Sequence, residues 1–313
     1  MRIGIIGVGG VGAYFGGRLA QAGEDVVFIA RGRTVDALRS RGLRVDSING
    51  DFVLDRVEAT DDPSSLGPVD AIIVATKAWQ VREAVETVKP MIGPQTIVVP
   101  LENGMDAPAD IAGVAGPNHA MGGLCTLVSF VVEPGHIRHA AADPTIMFGD
   151  LQNRPSKMVE ALRDAFVRAK VNAQIPRDIV HSMWSKFLFI APLSGIGAVT
   201  RAPVGMWRSI PQTRQMAEEA VRELFAVARA RGADLSQDAL KTTMGHYDAL
   251  AADATSSLQR DIVDGRPSEL DAQLGAVVRM GRDAGVPTPV HNFLYSVLLP
   301  QERRARGEVI AGA

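Results

Sequence analysis

The opening stretch MRIGIIGVGGVGAYF constrains the fold more than any other part of the chain. An apolar run at 2–6 leads directly into GVGGVG at 7–12, a helical pattern covers 13–22, and a second apolar run covers 25–30. This reads as a βαβ unit with G-x-G-x-x-G at its first strand-to-helix turn. Gly7 permits the tight turn, Gly9 lets a pyrophosphate approach the backbone, and Gly12 allows close helix–strand packing. With Val8, Gly10 and Val11 between them, the loop would hold the pyrophosphate at the helix N-terminus. Free N–H groups and the helix dipole favour an anion there. The pattern predicts a Rossmann-type, doubly wound α/β domain with a mainly parallel sheet that binds a dinucleotide.

The end of the second strand bears on which dinucleotide. NAD-binding versions place Asp or Glu about 20 residues on, against the ribose 2′-hydroxyl. This chain reads FIARGR, with Arg31 at that place and Arg33 close by, while Asp25 stands too early in the strand. An arginine there suits the 2′-phosphate of NADP(H), the expected cofactor.

Alternation continues with a strand at 69–76, a helix at 79–88 and a strand at 96–101 that ends in Glu102-Asn103-Gly104. Ligands of open α/β sheets bind beyond the carboxyl ends of strands. Lys77 and Asn103 stand at two such ends and are candidate cofactor contacts; as turn residues they would need no ligand, and Asn-Gly favours turns. Residues 43–60 read as short strands and turns, 118–149 as further strands, 156–169 as a helix and 171–174 as the domain's last strand. Beyond Pro176 the pattern is helical, at roughly 178–200, 211–232, 236–250, 268–285 and 288–300. The expected division is therefore an α/β domain at 1–175 and an all-α domain for substrate and dimer contacts at 176–313. Pro192 should kink or interrupt its helix.

Composition narrows the partners. A net charge of −2 without a basic patch argues against nucleic acid. Cys125 is the only cysteine, which excludes an internal disulfide and a thiolate metal cluster. His136 and His139 lack a third ligand nearby, so no metal is expected. The N-terminal apolar run is broken at once by glycine and reads as a strand, not a signal peptide. No apolar run reads as long enough to cross a bilayer. A cytoplasmic protein that binds a small molecule and no membrane is the expectation, with a homodimer suggested by the apolar helical half.

Two polar features of that half stand out. HSMWSKFLFIAP, 181–192, sets Lys186 in an apolar stretch where Met183, Trp184, Phe187, Leu188 and Ile190 follow helical spacing. A lysine is seldom buried without a partner, although its stem can pack while its amine reaches water. TSSLQRDIVDGRPSELD, 255–271, gathers Ser257, Asp261 and Glu269. Ser268 could cap the next helix with Glu269 in its first turn, which would explain that carboxylate without chemistry. At the chain's end, ERRARGEVIAGA reads as a polar helix end running into a flexible tail.

MRIGIIGVGGVG, ATKAWQV (75–81), LENGM (101–105), PGHIRH (134–139), WSK (184–186) and SSLQRDI with SELD together resemble the ketopantoate reductase (2-dehydropantoate 2-reductase) family. The resemblance runs in order to about residue 290. It implies a Rossmann N-terminal domain, a helical C-terminal domain and NADPH-dependent reduction of a 2-oxo acid, in pantothenate and coenzyme A synthesis. It implies that Lys186 is the general acid and a substrate contact, that Glu269 is a second catalytic residue near cofactor and lysine, and that Ser257 and Ser194 touch substrate. It further implies that Asn103 helps position nicotinamide and substrate, that Lys77 lies at the cofactor, and that Arg31 lies near the 2′-phosphate. The chemistry is coherent: a ketone that accepts hydride becomes an alkoxide, and a partly desolvated lysine offers both a proton and a charge.

The chain also departs from the family. Where a ketopantoate reductase carries substrate-holding asparagines, this chain has Ile190, Ser194 and Val204, and only Ser194 keeps a polar group. Three readings follow: a ketopantoate reductase proper, the same chemistry on a less polar 2-oxo acid or ketone, or a non-enzymatic NADPH sensor. A sensor would have no reason to keep Lys186, Ser257 and Glu269 together.

Overall fold

In the computed structural model, which describes residues 1–308, the chain divides into two units: Met1–Glu102 with Asp106–Val180, and Asn103–Met105 with the chain from His181 onward. The division, expected at Pro176, thus falls between Val180 and His181, and it assigns the Asn103 turn to the helical unit.

The first unit begins with β1 (Arg2–Ile6), α1 (Gly10–Gln21), β2 (Asp25–Ile29) and α2 (Arg33–Arg41). Short strands β3 (Leu43–Ser47), β4 (Phe52–Leu54) and β5 (Glu58–Thr60) follow, then β6 (Val69–Val74), α3 (Val81–Val88), β7 (Ile92–Pro100) and α4 (Ala107–Ala115). It closes with β8 (Met121–Glu133), β9 (His136–Asp150), α5 (Lys157–Arg168) and β10 (Asn172–Gln174). Five strands form a parallel sheet in the order β5-β2-β1-β6-β7. Its central strands are almost wholly apolar because helices cover both faces. Ile3, Ile5, Ala71 and Ile73 enter one core with Phe15, Phe28 and Phe166, while Ile29, Ile72 and Val74 enter the other with Val85 and Ile111. This is the expected Rossmann-type arrangement.

A second sheet, β10-β9-β3-β4 with β8 against β9, flanks the first within this unit. The 43–60 region therefore splits: β3 and β4 make an antiparallel hairpin in the second sheet, whereas β5 extends the first. The strand near 171–174, expected to finish the dinucleotide sheet, pairs in parallel with β9 in the second sheet instead. Two helices carry too weak a pattern to be anticipated. In α2 only Val35, Ala37 and Leu38 are buried, and α4 is built largely of small residues. In β9, His136 pairs with Asp46, and the nitrogens of His139 lie within hydrogen-bond distance of Ser47 Oγ and of the carbonyls of Ala141 and Ala142.

The second unit contains α6 (Ile179–Thr200, which begins two residues before it), α7 (Val204–Ser209), α8 (Pro211–Ala230), α9 (Ala239–Ala249) and α10 (Ser257–Val263). A five-residue π-helical segment, Asp271–Gly275, then leads into α11 (Ala276–Asp283), and α12 is Pro289–Ala305. Helices α7 and α10 are short additions to the expected set. α6 runs on through Pro192 rather than stopping there. Proline removes one backbone donor, and in the preceding turn the Phe189 carbonyl accepts the Tyr247 hydroxyl of α9 at 2.7 Å. Burial pushes that phenol well above its ordinary range, so it stays a donor. α6 is also the one described helix long and apolar enough to cross a membrane, contrary to expectation, but 67% of its most apolar window is buried in the fold. It is a core helix. Of the expected polar end and tail, the chain is helical to Ala305, and residues 309–313 lie outside the described residues.

Candidate active site

In the first unit the three motif glycines meet three different constraints. Gly7 has φ +92°, and a Cβ there would stand 2.5 Å from the Ala75 carbonyl oxygen. A Cβ on Gly12 would come within 2.1 Å of the Gly7 carbonyl oxygen. Gly9 has nothing within 4 Å of its would-be Cβ, which leaves its backbone open to an incoming group. Gly10 is set differently: a Cβ there would lie 2.7 Å from the Ser129 carbonyl oxygen, so strand β8 rests directly on the loop. Ser129 is a residue the motif could not have pointed to.

Gly7, Val8 and Gly9 line a cleft of about 440 Å³ together with Arg31, Thr76 and Glu83, and Val131, Pro134 and Ile137 of the β8–β9 hairpin form another part of its wall. Val11 instead packs against the core. The open Gly9 backbone, the start of α1 and a basic residue in the lining fit a dinucleotide phosphate.

Arg31 follows β2 at the cleft, as its spacing predicts. It is not a bare cation: Nη1 donates to Glu83 Oε1 at 2.7 Å and Nη2 to Thr87 Oγ1 at 2.9 Å, both from α3. Arg33 opens α2 and is exposed. Lys77 directly follows Thr76 of the lining and sets its Nζ 6.0 Å from the centre of the Trp79 ring. Behind these residues, buried Glu102 accepts hydrogen bonds from Thr76 N at 3.0 Å, Thr76 Oγ1 at 3.2 Å and Leu101 N at 3.1 Å. It thereby ties the end of β6, which borders the cleft, to the end of β7. Glu102 stands inside LENGM, yet nothing local to the sequence distinguishes such a strut from a surface acid.

The second unit holds the other candidates. Lys186 is half-buried on α6, between the buried residues Met183, Trp184, Phe187 and Leu188. Ser194 and Val204, at 0% and 1% exposure, are fully inside, and Ser194 Oγ has no hydrogen-bond partner among the described residues. Ile190 is half-buried. Glu269 is buried at a bend, and its carbonyl accepts from Gln273 N at 3.0 Å. Ser268 Oγ accepts from Leu270 N at 3.2 Å, but the helical segment that starts there has no side-chain cap, and Glu269 stands before its first turn rather than in it. Buried Glu302 of α12 takes the Ser268 N–H and hydroxyl. The Asn103 turn joins this region: Gly104 has φ +126°, and its would-be Cβ lies 3.0 Å from the Ala272 carbonyl oxygen, three residues after Glu269. The Asn103 turn thus belongs to the helical unit and packs beside the segment that follows Glu269. Ser257 is half-buried in the first turn of α10, which its neighbour Ser256 caps by accepting from Gln259 N at 3.0 Å.

The comparisons with known proteins bear on the family and the fold. Residues 3–153 match the family model described as "Ketopantoate reductase PanE/ApbA", and residues 178–302 match "Ketopantoate reductase PanE/ApbA C terminal". The chain is 28% identical to the oxidoreductase YkpB of Bacillus subtilis (strain 168), covering 95% of this chain and 98% of that protein. The crystal structure of 2-dehydropantoate 2-reductase from Geobacter metallireducens GS-15 superposes with a TM-score of 0.89 at 29% identity, over 96% of this chain and 99% of that one. A D-mandelate dehydrogenase in ternary complex with NADH and anilino(oxo)acetate shares the fold, with a TM-score of 0.89 at 21% identity over 98% and 99% of the two chains.

Proposed function

The chain belongs to the ketopantoate reductase family, and on that premise we propose that it reduces a 2-oxo acid to the 2-hydroxy acid with NADPH, ketopantoate being the first candidate substrate. The observation that carries the chemical reading is Lys186. It is the only Lys, Arg, Asp or Glu in α6, and it stands half-buried beside the buried Met183, Trp184, Phe187 and Leu188, with Ser185 exposed next to it. A bound reduced nicotinamide dinucleotide would supply the hydride. Lys186 is then the group that gives a proton to the developing alkoxide and balances its charge until the proton has moved. Asn103 and Glu269, both in the helical unit, orient substrate and nicotinamide, and Ser257 adds a hydroxyl contact. Arg31, with no acidic residue at the end of β2, supports NADPH as the donor.

Favouring a less polar substrate are the residue types Ile190, Ser194 and Val204, since none offers the amide that family members use to hold ketopantoate. A site without such groups rejects the analogue that lacks a hydroxyl far less strongly.

Oxidation of NADPH, followed at its near-ultraviolet absorbance with ketopantoate and a panel of less polar 2-oxo acids, tests both readings. Ketopantoate ahead by kcat/KM supports the first, and another 2-oxo acid ahead supports the second. If NADPH binds and no 2-oxo acid is reduced, the reductase reading is wrong.

A further inference from the structure

Glu83 of α3 has no assigned part in any of this, yet it stands where cofactor choice is made. Two ways of reading an adenosine ribose are known for this architecture. A carboxylate at the end of the second strand takes the 2′-hydroxyl, or an arginine there takes the 2′-phosphate. Here the strand supplies Arg31 and a different element supplies a carboxylate: Glu83, 52 positions later, lines the same cleft with Oε1 2.7 Å from Arg31 Nη1. Thr87, one turn further along α3, holds the second guanidinium nitrogen and donates its hydroxyl to the Glu83 carbonyl at 2.9 Å. One edge of the cleft thus presents both kinds of recognition group, already paired with each other.

We propose that Glu83 is the residue that sets cofactor preference, and that it makes the cleft accept NADH alongside NADPH. The inference rests on reading this cleft as the dinucleotide site. A 2′-phosphate must draw Arg31 away from Glu83 and then sit close to an uncompensated carboxylate. The Arg31–Glu83 pair is exposed, at 64% and 66% for the two side chains, so it opens readily. The repulsion remains, because two like charges a few ångströms apart in high dielectric weaken binding by roughly several-fold for each unit of phosphate charge. A ribose 2′-hydroxyl meets no such penalty and can donate to the carboxylate. NADPH therefore loses much of the advantage that Arg31 gives it.

The test is direct binding of NADPH and NADH to the whole protein, by calorimetry or nucleotide fluorescence, in the wild type and in Glu83→Gln. Glutamine keeps the shape and a hydrogen-bonding oxygen but removes the charge, and its exposed position on α3 leaves the core untouched. In the wild type the two dissociation constants should agree within about tenfold, and Glu83→Gln should move their ratio toward NADPH by about tenfold. A wild type that prefers NADPH by more than a hundredfold, or a ratio that Glu83→Gln leaves in place, overturns the proposal while leaving the dinucleotide site intact. If neither dinucleotide binds, the reading of the cleft fails, and the proposal with it.

Discussion

The glycine loop of the first unit and the Glu269 region of the second are both entrances to a helix, and they teach opposite things about legibility. In the loop, backbone geometry dictates residue type: positive φ at Gly7 and a near-contact of 2.1 Å at Gly12 leave room for nothing but glycine. At Glu269 the geometry dictates almost nothing. Ser268 holds Leu270 N and is itself held by Glu302, 34 residues later, so these polar groups are accounted for structurally and say nothing of chemistry. Backbone constraints are written into short stretches of sequence, whereas side-chain roles depend on elements that arrive from far along the chain.

The largest expected effect probes the chemical side of that contrast. Lys186→Met keeps the length and packing of the stem in an apolar helix and removes only the ammonium. Reductase kcat/KM should fall by about 10²–10⁴-fold, while the variant still folds and binds the dinucleotide. Activity that survives within threefold would make Lys186 a packed stem with a solvated head and nothing more.

Next in size is a pair of glycine substitutions that should separate fold from binding. Gly12→Ala drives a methyl into the Gly7 carbonyl and should cost about 2–3 kcal/mol by urea denaturation. Gly9→Ala has open space, so its stability should change by only about 0.5 kcal/mol. Its dinucleotide dissociation constant should nevertheless rise at least tenfold, because the methyl occupies the approach to the backbone. Equal stability losses in the two variants, or unchanged binding by Gly9→Ala, would contradict the separate roles assigned to these residues.

The same contrast explains what the sequence did and did not disclose. The parallel sheet was readable because β1 and β6 are buried on both faces and so run almost uniformly apolar. The helical half was readable because α8 carries a clean apolar face. The second sheet was not, since β3, β4 and β10 are short and half-exposed, and partner choice among such strands is decided by non-local pairing. Arg31 was legible from its spacing, but Glu83, 52 positions away, was not, although it is what Arg31 touches. Lys186, Ser257 and Glu269 were visible as polar residues; only likeness to a family gave them roles. Ser129 and Glu102 act through the loop and the strand ends, and no local pattern marks them.

Helix capping offers a last, smaller test of the contrast, with the sign fixed by proton linkage. Helix α5 is capped by its own Ser156, whereas Thr288 gives α12 no side-chain cap. Glu223, reaching over from α8, accepts instead from Val290 N at 2.7 Å, His291 N at 3.0 Å and His291 Nδ1 at 2.8 Å. Burial alone would raise this carboxyl, but those hydrogen bonds outweigh it and hold it below its ordinary value of 4.5. A carboxyl whose folded value is depressed stabilises the fold above its unfolded value, and that contribution disappears as pH falls through the folded one. Glu223→Gln should therefore be less stable than the wild type by about 1–2 kcal/mol at pH 7. The gap should narrow as the pH drops below 4.5, since the wild type alone loses the charged cap. Urea denaturation of both proteins at neutral and at acid pH measures it. A gap that widens in acid would mean that the distant carboxylate is not what secures this helix.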